Sequence, residues 1–437
     1  MNILFVHQNF PGQFKHLAPA LAADKANRVV AIADRANFRE RAVCVTGIEF
    51  HTYPSPKGAC AQTHHYLRGL ETGVRRGQAV YRMADELRKR GFAPDLICCH
   101  PGWGEGLYLK DLFPRAKLLN YFEFFYHAEG VDVGFDPEFP ATEDDRLRVR
   151  TKNALNLFNL AACDWGIAPT HWQCSLHPPE YRDRISVIFD GIRTDQVIPN
   201  PDVAVTLKTG VRLTRADEII TFAARSLEPY RGFHVFLRSL PEILRRRPKA
   251  QVLIVGRDDV SYGRVPKSGS YRQLYLNEVG ASIDPARVHF LDNLPYRRYL
   301  EILQASSVHV YLTYPFVLSW SMLEAMSAGC LVIGSRTAPV EEVLIHGENG
   351  LLVDFFSTAQ IADAVDQALA HPDRMQQLRD AARRTAVAGY DLKSVCLPRQ
   401  LALINALAQG VLPSLFPSVS PEFPGTRRRP DSIPGLC

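Results

Sequence analysis

Two arginines stand six positions apart in a turn that contains proline and glycine. Arg225 follows an apolar run at residues 218–223, and Arg231 directly precedes Gly232. Side chains placed this way can reach the same anion, and a guanidinium group can donate two parallel hydrogen bonds to a phosphate. The pair predicts a site for a phosphate or a diphosphate. The alternative interpretation is an exposed loop with two solvated arginines.

A second candidate site lies in the stretch 307–354, which reads as strands alternating with helices. Ser319, Trp320 and Ser321 open one helix, and a second helix begins near residues 337–340. The unpaired N–H groups of two helix N-termini would point into one crevice at the carboxyl ends of parallel strands, where anions bind. Glu324, one turn into the first helix, could accept hydrogen bonds from sugar hydroxyls. The stretch therefore predicts a diphosphate next to a ribose, although any α/β domain with a well-capped helix would also fit.

The same stretch resembles a known family. The run Leu-Glu-Ala-Met-Ser-Ala-Gly at residues 323–329 is similar to the second half of the donor-binding signature of retaining family 4 glycosyltransferases, which have the GT-B fold. The resemblance implies that Glu324 holds the ribose of a nucleotide-sugar donor, and that Arg225 and Arg231 neutralise its diphosphate, with Arg231 standing where the family has lysine. The first half of the signature departs, because Phe316 occupies the position of the family's first glutamate. Either backbone amides at 317–319 replace that carboxylate, or the donor sugar differs.

Several loops of the first half follow predicted strands and could line a cleft. Gly12 follows the first strand and would let a ligand approach the backbone closely, although a plain turn is an equal alternative. The segment after the strand at 95–99 predicts a loop for the acceptor or the sugar, with candidates His100, Trp103 and Glu105. The resemblance implies three further positions. Gly191 would approach the pyrophosphate at the domain crossing, and either Glu123 or His127 would take the place of a catalytic-loop histidine near the donor sugar.

Length and composition set the broad class. A chain of 437 residues with 46% apolar and 22% charged residues predicts a soluble protein of two domains. The chain contains no run of about 18 apolar residues, so no transmembrane helix is predicted. Its start lacks the basic region of a signal peptide, so none is expected. The nine cysteines form no C-x-x-C pair, which favours a reducing cytoplasm. The net charge of +5 is compatible with contact with the inner membrane surface, but a solvated basic surface is favoured. We expect no nucleic-acid partner.

The pattern and the resemblance together give an architecture. The fold class is α/β of the GT-B type, with two Rossmann-like domains facing each other across a cleft and a C-terminal helix crossing back to the first domain. We predict an acceptor-side domain at 1–190, a donor domain at 191–391, a crossover helix at 392–410 and a disordered, proline-rich tail at 411–437. Helices are predicted at 57–90 and 146–162, and the acidic loop at 131–145 is a candidate for contact with the acceptor.

The resemblance also implies a reaction. We expect a glycosyltransferase of polysaccharide biosynthesis that moves a sugar from a nucleotide-diphosphate donor to a glycan or lipid-linked acceptor, with retention of anomeric configuration. The resemblance implies that no metal or other cofactor is needed. The residues agree with this expectation, because Asp258 and Asp259 are adjacent rather than spaced as Asp-x-Asp, and His64-His65 has no partner at a ligand spacing. Two alternatives stay open: a catalytically silent nucleotide-sugar-binding protein of the same fold, and a GT-B sugar-nucleotide epimerase.

Overall fold

The first half of the chain forms a seven-stranded parallel sheet in the order β3-β2-β1-β4-β5-β6-β7. The structure is a computed structural model that describes residues 1–41 and 45–411, so most of the predicted disordered tail lies outside the described residues. Most of the strands are buried and largely apolar because helices cover both faces of the sheet, whereas the edge strand β3 carries Glu49 and His51. Their bounds are β1 Asn2–Val6, β2 Arg28–Asp34, β3 Ile48–Tyr53, β4 Leu96–Cys99, β5 Lys117–Tyr121, β6 Trp165–Ala168 and β7 Ile185–Val187.

Among the described residues of the first half, eight α-helices accompany this sheet. They are α1 Leu17–Ala23, α2 Arg35–Arg41, α3 Arg68–Lys89, α4 Leu109–Leu112, α5 Glu143–Lys152, α6 Ala154–Ala162, α7 His171–Ser175 and α8 Pro179–Arg182. The helix predicted at 57–90 begins only at Arg68, because the preceding segment turns back against α5, where the Tyr66 hydroxyl donates to Asp144. The single helix predicted at 146–162 is two helices, which meet at Asn153.

The second half forms a six-stranded parallel sheet in the order β12-β11-β10-β13-β14-β15, preceded by the antiparallel pair β8 and β9. The strands are β8 Ala204–Thr206, β9 Arg212–Thr214, β10 Ile219–Ser226, β11 Gln251–Arg257, β12 Val288–Phe290, β13 Val308–Tyr311, β14 Leu331–Ser335 and β15 Leu351–Val353. The helices are α9 Phe233–Arg246, α10 Tyr271–Val279, α11 Tyr296–Ala305, α12 Trp320–Ser327, α13 Ala338–Glu341, α14 Thr358–Ala370 and α15 Pro372–Tyr390.

The chain then returns to the first domain. A π-helical turn at Leu392–Cys396 leads into α16 at Leu397–Ala408. Leu403 and Ile404 of α16 are buried in the same apolar cluster as Leu17 of α1 and residues of β1. The predicted fold, with two parallel-sheet domains and a C-terminal helix crossing back, is confirmed. Among the described residues, no helix has the length and hydropathy that crossing a bilayer requires.

The acidic loop of the first domain, residues 131–145, packs against the second domain, and we call it the acidic strap. Asp136 lies 2.9 Å from Nε2 of His234 and accepts a 2.6 Å hydrogen bond from the Tyr314 hydroxyl. Farther along the strap, Glu138 forms a 2.6 Å ion pair with Arg238. Asp136 and Glu138, two of the carboxylates that the sequence offered to an acceptor, thus hold the two domains together.

Candidate active site

The first domain contributes a hydrogen-bonded group at the carboxyl ends of β1, β4 and β5. Gln13 donates from Nε2 to Glu123 Oε1 at 3.1 Å, and its Oε1 lies 2.8 Å from His7 Nε2. The second Glu123 oxygen lies 3.5 Å from His100 Nε2. Since His100 Nδ1 accepts from the Gly102 amide, Nε2 is the nitrogen that carries the proton toward Glu123. Three strands therefore position one carboxylate.

Aromatic stacking fixes the orientation of His100. Its ring lies parallel to Trp103, with 4.2 Å between the centroids, and stacks more distantly on Tyr121. Burial alone would raise the pKa of Glu123, but the hydrogen bonds and charge from His100, the bond from Gln13 and the charge of Arg231 outweigh it and lower that pKa. Glu123 is therefore a carboxylate at neutral pH.

The second domain contributes Arg231, which is buried and only 8% exposed. Its Nη1 donates to Thr313 Oγ1 at 2.8 Å and to the Val317 carbonyl at 2.9 Å. The guanidinium is therefore fixed beneath the loop that leads into α12, and its charge reaches Glu123 of the other domain. Arg225, by contrast, is exposed at the end of β10, and no ion pair of its side chain occurs within residues 1–41 and 45–411.

The start of α12 carries the remaining predicted donor-binding residues. Ser319 caps the helix, and its hydroxyl accepts from the Ser321 amide at 3.3 Å. Trp320 donates from Nε1 to Asp190 of the first domain at 2.7 Å. Glu324, which is buried, accepts a 2.7 Å hydrogen bond from the Tyr296 hydroxyl, and burial raises the pKa of this carboxyl. The structure thus places the residues predicted at this helix at the junction between the domains.

Phe316 takes part in an aromatic contact between the domains. Its ring centroid lies 4.6 Å from that of Phe124, the residue after Glu123, and 5.0 Å from that of Tyr262. At the position where the resemblance implies a carboxylate, this chain has an apolar wall beside Arg231.

Four of the residues predicted for the site make structural contacts within the protein instead: His127, Glu105, Gly12 and Gly191. His127 Nε2 bonds to the Leu176 carbonyl at 2.7 Å within the first domain, away from the group around Glu123. Glu105 is fully buried and accepts from the Tyr53 hydroxyl at 2.9 Å, so it does not line a loop for an acceptor.

The two glycines make close contacts with protein rather than leaving space for a ligand. A Cβ at Gly12, whose φ is +50°, would lie 2.3 Å from the ring of His7. A Cβ at Gly191, whose φ is +93°, would lie 2.7 Å from Leu392. Gly12 thus makes room for the His7 ring, and Gly191 makes room for the turn that leads into the crossover helix.

Sequence reasoning missed four polar residues of the cleft: His7, Gln13, Lys15 and Asp190. The first three lie in and just after the loop that follows β1, and Asp190 precedes Gly191 at the domain crossing. Their position after apolar strands is a signal that could have identified them. Burial raises the pKa of Asp190 to about 6, although hydrogen bonds from Tyr121 and Trp320 oppose the shift. Among the described residues, no three His, Cys, Asp or Glu side chains group as metal ligands.

Comparisons with known families agree with this geometry. The model described as "Glycosyl transferase family 4 group" matches residues 25–197, and the model described as "Glycosyl transferases group 1" matches residues 209–385. The chain belongs to the GT-B glycosyltransferases of family 4 type. The first match covers strands β2 to β7, and the second covers strands β9 to β15.

Two curated relatives are similar to part of the chain. The D-inositol 3-phosphate glycosyltransferase of Rhodococcus jostii is 28% identical over 207 residues, which cover 47% of this chain and 44% of that protein. The alpha-maltose-1-phosphate synthase of Mycolicibacterium smegmatis is 28% identical over 215 residues, covering 47% of this chain and 52% of that protein. The chain therefore spans about half the length of the curated relatives it matches.

Solved structures share the whole fold. Sucrose-phosphate synthase from Thermosynechococcus elongatus superposes with a TM-score of 0.72 at 18% identity, over 94% of this chain and 100% of that one. The Anabaena protein HepE, solved in complex with UDP-glucose, superposes with a TM-score of 0.62 at 17% identity, over 93% of this chain and 100% of that one.

Proposed function

We propose that this protein transfers a sugar from a nucleotide-diphosphate donor to a glycan or lipid-linked acceptor. The observation that carries the proposal is the position of Arg231 and Glu123 in facing domains, with the charge of Arg231 acting on the Glu123 carboxylate. A fixed cation in one domain and a charged carboxylate in the other are what the breaking of a bond between a sugar and a diphosphate requires. One relative is named as a glycosyltransferase, and one similar structure was solved in complex with UDP-glucose. Both support the same chemistry.

In this proposal each group acts on a different part of the donor. Arg231, with Arg225 and the N-terminus of α12, stabilises the negative charge that develops on the leaving diphosphate. Glu324 exchanges its bond from Tyr296 for the ribose hydroxyls, and Glu123 faces the positive charge that develops at the anomeric carbon. The guanidinium and backbone N–H groups supply this stabilisation themselves, so we propose that no metal cofactor takes part.

We further propose that anomeric configuration is retained. The acceptor hydroxyl then attacks from the side of the leaving group, and the departing phosphate takes its proton. The acidic strap and the Phe124–Phe316 contact keep the domains close together, which would exclude water from the donor and limit its hydrolysis. The proposed setting is the cytoplasm, in polysaccharide biosynthesis, with contact at the inner membrane surface where the acceptor is lipid-linked.

A thermal-shift screen against UDP, GDP, ADP, dTDP and CMP, with and without magnesium, tests donor binding, because a ligand that binds the native state raises the melting temperature. One preferred diphosphate, without a magnesium requirement, is the expected result. The corresponding nucleotide-sugars would then be incubated with glycan and lipid-linked acceptors, and the product's anomeric configuration read by NMR. No shift with any nucleotide would contradict the proposal.

Phe316 favours one other candidate, a catalytically silent nucleotide-sugar-binding protein. An apolar wall stands beside Arg231 where a carboxylate would contact the transferred sugar. Stabilisation by a nucleotide-sugar without transfer or hydrolysis would support this candidate, and any turnover would exclude it.

A further inference from the structure

Lys15 reaches from the first domain to the first residue of α12 in the second. It follows the 3₁₀ turn at Gly12–Phe14, and its Nζ lies 3.6 Å from the centre of the Trp320 ring. An ammonium over an indole face is attracted by the ring's electrons, so the contact fixes where the charge lies. Because Trp320 begins α12, the ammonium lies beside the helix N-terminus that the proposed function assigns to the diphosphate.

Apart from the Trp320 ring, the charge of Lys15 has no direct partner among the described residues. Within residues 1–41 and 45–411, Nζ makes neither an ion pair nor a hydrogen bond, although Glu324 and Asp190 attract it at longer range. Burial lowers the pKa of Lys15, and those two carboxyls oppose that shift. The charges of Lys15 and Arg193 add to the effect of burial on His16 and lower its pKa to about 4, so His16 is neutral at pH 7.

Burying the Lys15 ammonium group costs free energy unless an anion binds to it. Glu324 lies one helical turn from Trp320 and binds the ribose in the proposed function. The ribose and the diphosphate of one donor would therefore lie on either side of the Lys15 charge.

We propose that Lys15 binds the diphosphate of the nucleotide donor, so that the first domain contacts the diphosphate as well as the sugar. The inference rests on the proposed function, and it adds a residue that neither the signature around Glu324 nor the Arg225/Arg231 pair contains. Since Lys15 belongs to one domain and Trp320 to the other, a bound diphosphate would stabilise the closed arrangement of the two domains.

The test compares a nucleoside diphosphate with the nucleoside of the same base, using the base that gives the largest shift with the wild-type protein. Lys15→Met keeps the apolar stem and removes the charge, and Lys15→Arg keeps the charge. Lys25→Met, at an exposed position of the same domain, is the matched control. Affinities are measured by isothermal titration calorimetry, and melting temperatures establish that each variant is folded.

We expect Lys15→Met to weaken diphosphate affinity about tenfold, the usual effect of one charge-assisted contact. Its nucleoside affinity should stay at the wild-type value, and Lys15→Arg should restore most of the diphosphate affinity. Equal losses for diphosphate and nucleoside would show a merely structural role, and an unchanged diphosphate affinity would show that Lys15 does not bind it. A wild-type protein that binds no nucleoside diphosphate would instead overturn the proposed function, and this inference with it.

Discussion

The indole Nε1 of Trp320 donates a 2.7 Å hydrogen bond to Oδ2 of Asp190, and this bond joins the second domain to the first. The other oxygen of Asp190 accepts a 2.8 Å bond from the Tyr121 hydroxyl. A single buried carboxyl therefore connects the segment that follows β7, the strand β5 and the start of α12. Asp190 is consequently a point where pH can act on the relation between the domains.

The raised pKa of Asp190 predicts a specific pH dependence. Burial raises it to about 6, so the native state holds the proton more tightly than the unfolded chain does. The free energy of unfolding should then fall as pH rises from about 4 to 6, by at most about 3 kcal/mol from this group. Asp190→Asn should remove that part of the slope, measured as melting temperature against pH. Asp202→Asn, at an exposed position, is the control and should keep the wild-type slope. If Asp190→Asn kept a slope as steep as that of the wild type and of this control, the assignment would be wrong.

The surroundings of Glu123 and His127 predict different kinetic effects. Glu123→Gln should lower kcat about 100-fold or more, the usual effect of losing one electrostatic contact to a transition state. Its affinity for the nucleoside diphosphate should stay close to that of the wild type. His127→Gln can still donate to the Leu176 carbonyl and should leave kcat unchanged. Steady-state kinetics with the identified donor separates the two, and the reverse pattern would make His127 the catalytic-loop residue.

The different environments of the two arginines predict unequal contributions to binding. Arg231→Ala should weaken nucleoside diphosphate affinity about 10- to 100-fold, because a fixed, charged donor is lost. Arg225→Ala should have a smaller effect, since its exposed side chain must be ordered on binding. Arg297→Ala, whose side chain is 92% exposed, serves as the control in calorimetry. Unchanged affinity in folded Arg231→Ala would refute the assignment of this residue to the diphosphate.

The buried contact between Asp136 and His234 predicts that the acidic strap stabilises the closed arrangement. Burial opposes ionisation of Asp136, but hydrogen bonds from His234 and Tyr314 outweigh it and lower its pKa. This stabilisation is present above the unfolded pKa of aspartate, about 3.9, and is lost as pH falls through the lower native value. Asp136→Asn should therefore cost about 3 kcal/mol at pH 7 and much less in acid.

Chemical denaturation at pH 7 and in acid measures this effect. Asp363→Asn removes an exposed partner of Arg246 and should change little, because surface ion pairs contribute little to stability. If Asp136→Asn and Asp363→Asn lowered the free energy of unfolding equally, the buried contact of the acidic strap would not stabilise the closed arrangement.

Glu324 predicts discrimination between ribonucleotides and deoxyribonucleotides. If its carboxylate holds the ribose hydroxyls, Glu324→Gln should weaken binding of a ribonucleoside diphosphate about tenfold, as expected when a charged hydrogen bond is lost. Binding of the matching 2′-deoxynucleotide should fall less, because it offers one hydroxyl fewer. Calorimetry on both nucleotides checks the difference, and equal losses would place the ribose elsewhere.

The sequence by itself determined the fold and predicted the residues that we propose for the donor. Apolar strands alternating with helices require a parallel sheet covered on both faces, and loops after such strands must meet at one edge. Arg231, Ser319, Trp320 and Glu324 were therefore identifiable from local order alone, because helix starts and strand ends are local features of the chain.

Only the tertiary structure decided which of the other candidates meet. Spacing could not separate Glu123 from His127, since the loop after β5 turns one side chain toward Gln13 and the other toward Leu176. Nor could it show that Glu105 is buried or that the acidic strap binds the second domain. Lys15 and Asp190 stand more than 100 residues from Trp320. Contacts of that range depend on how two separately folded sheets pack together, which no local pattern in the chain encodes.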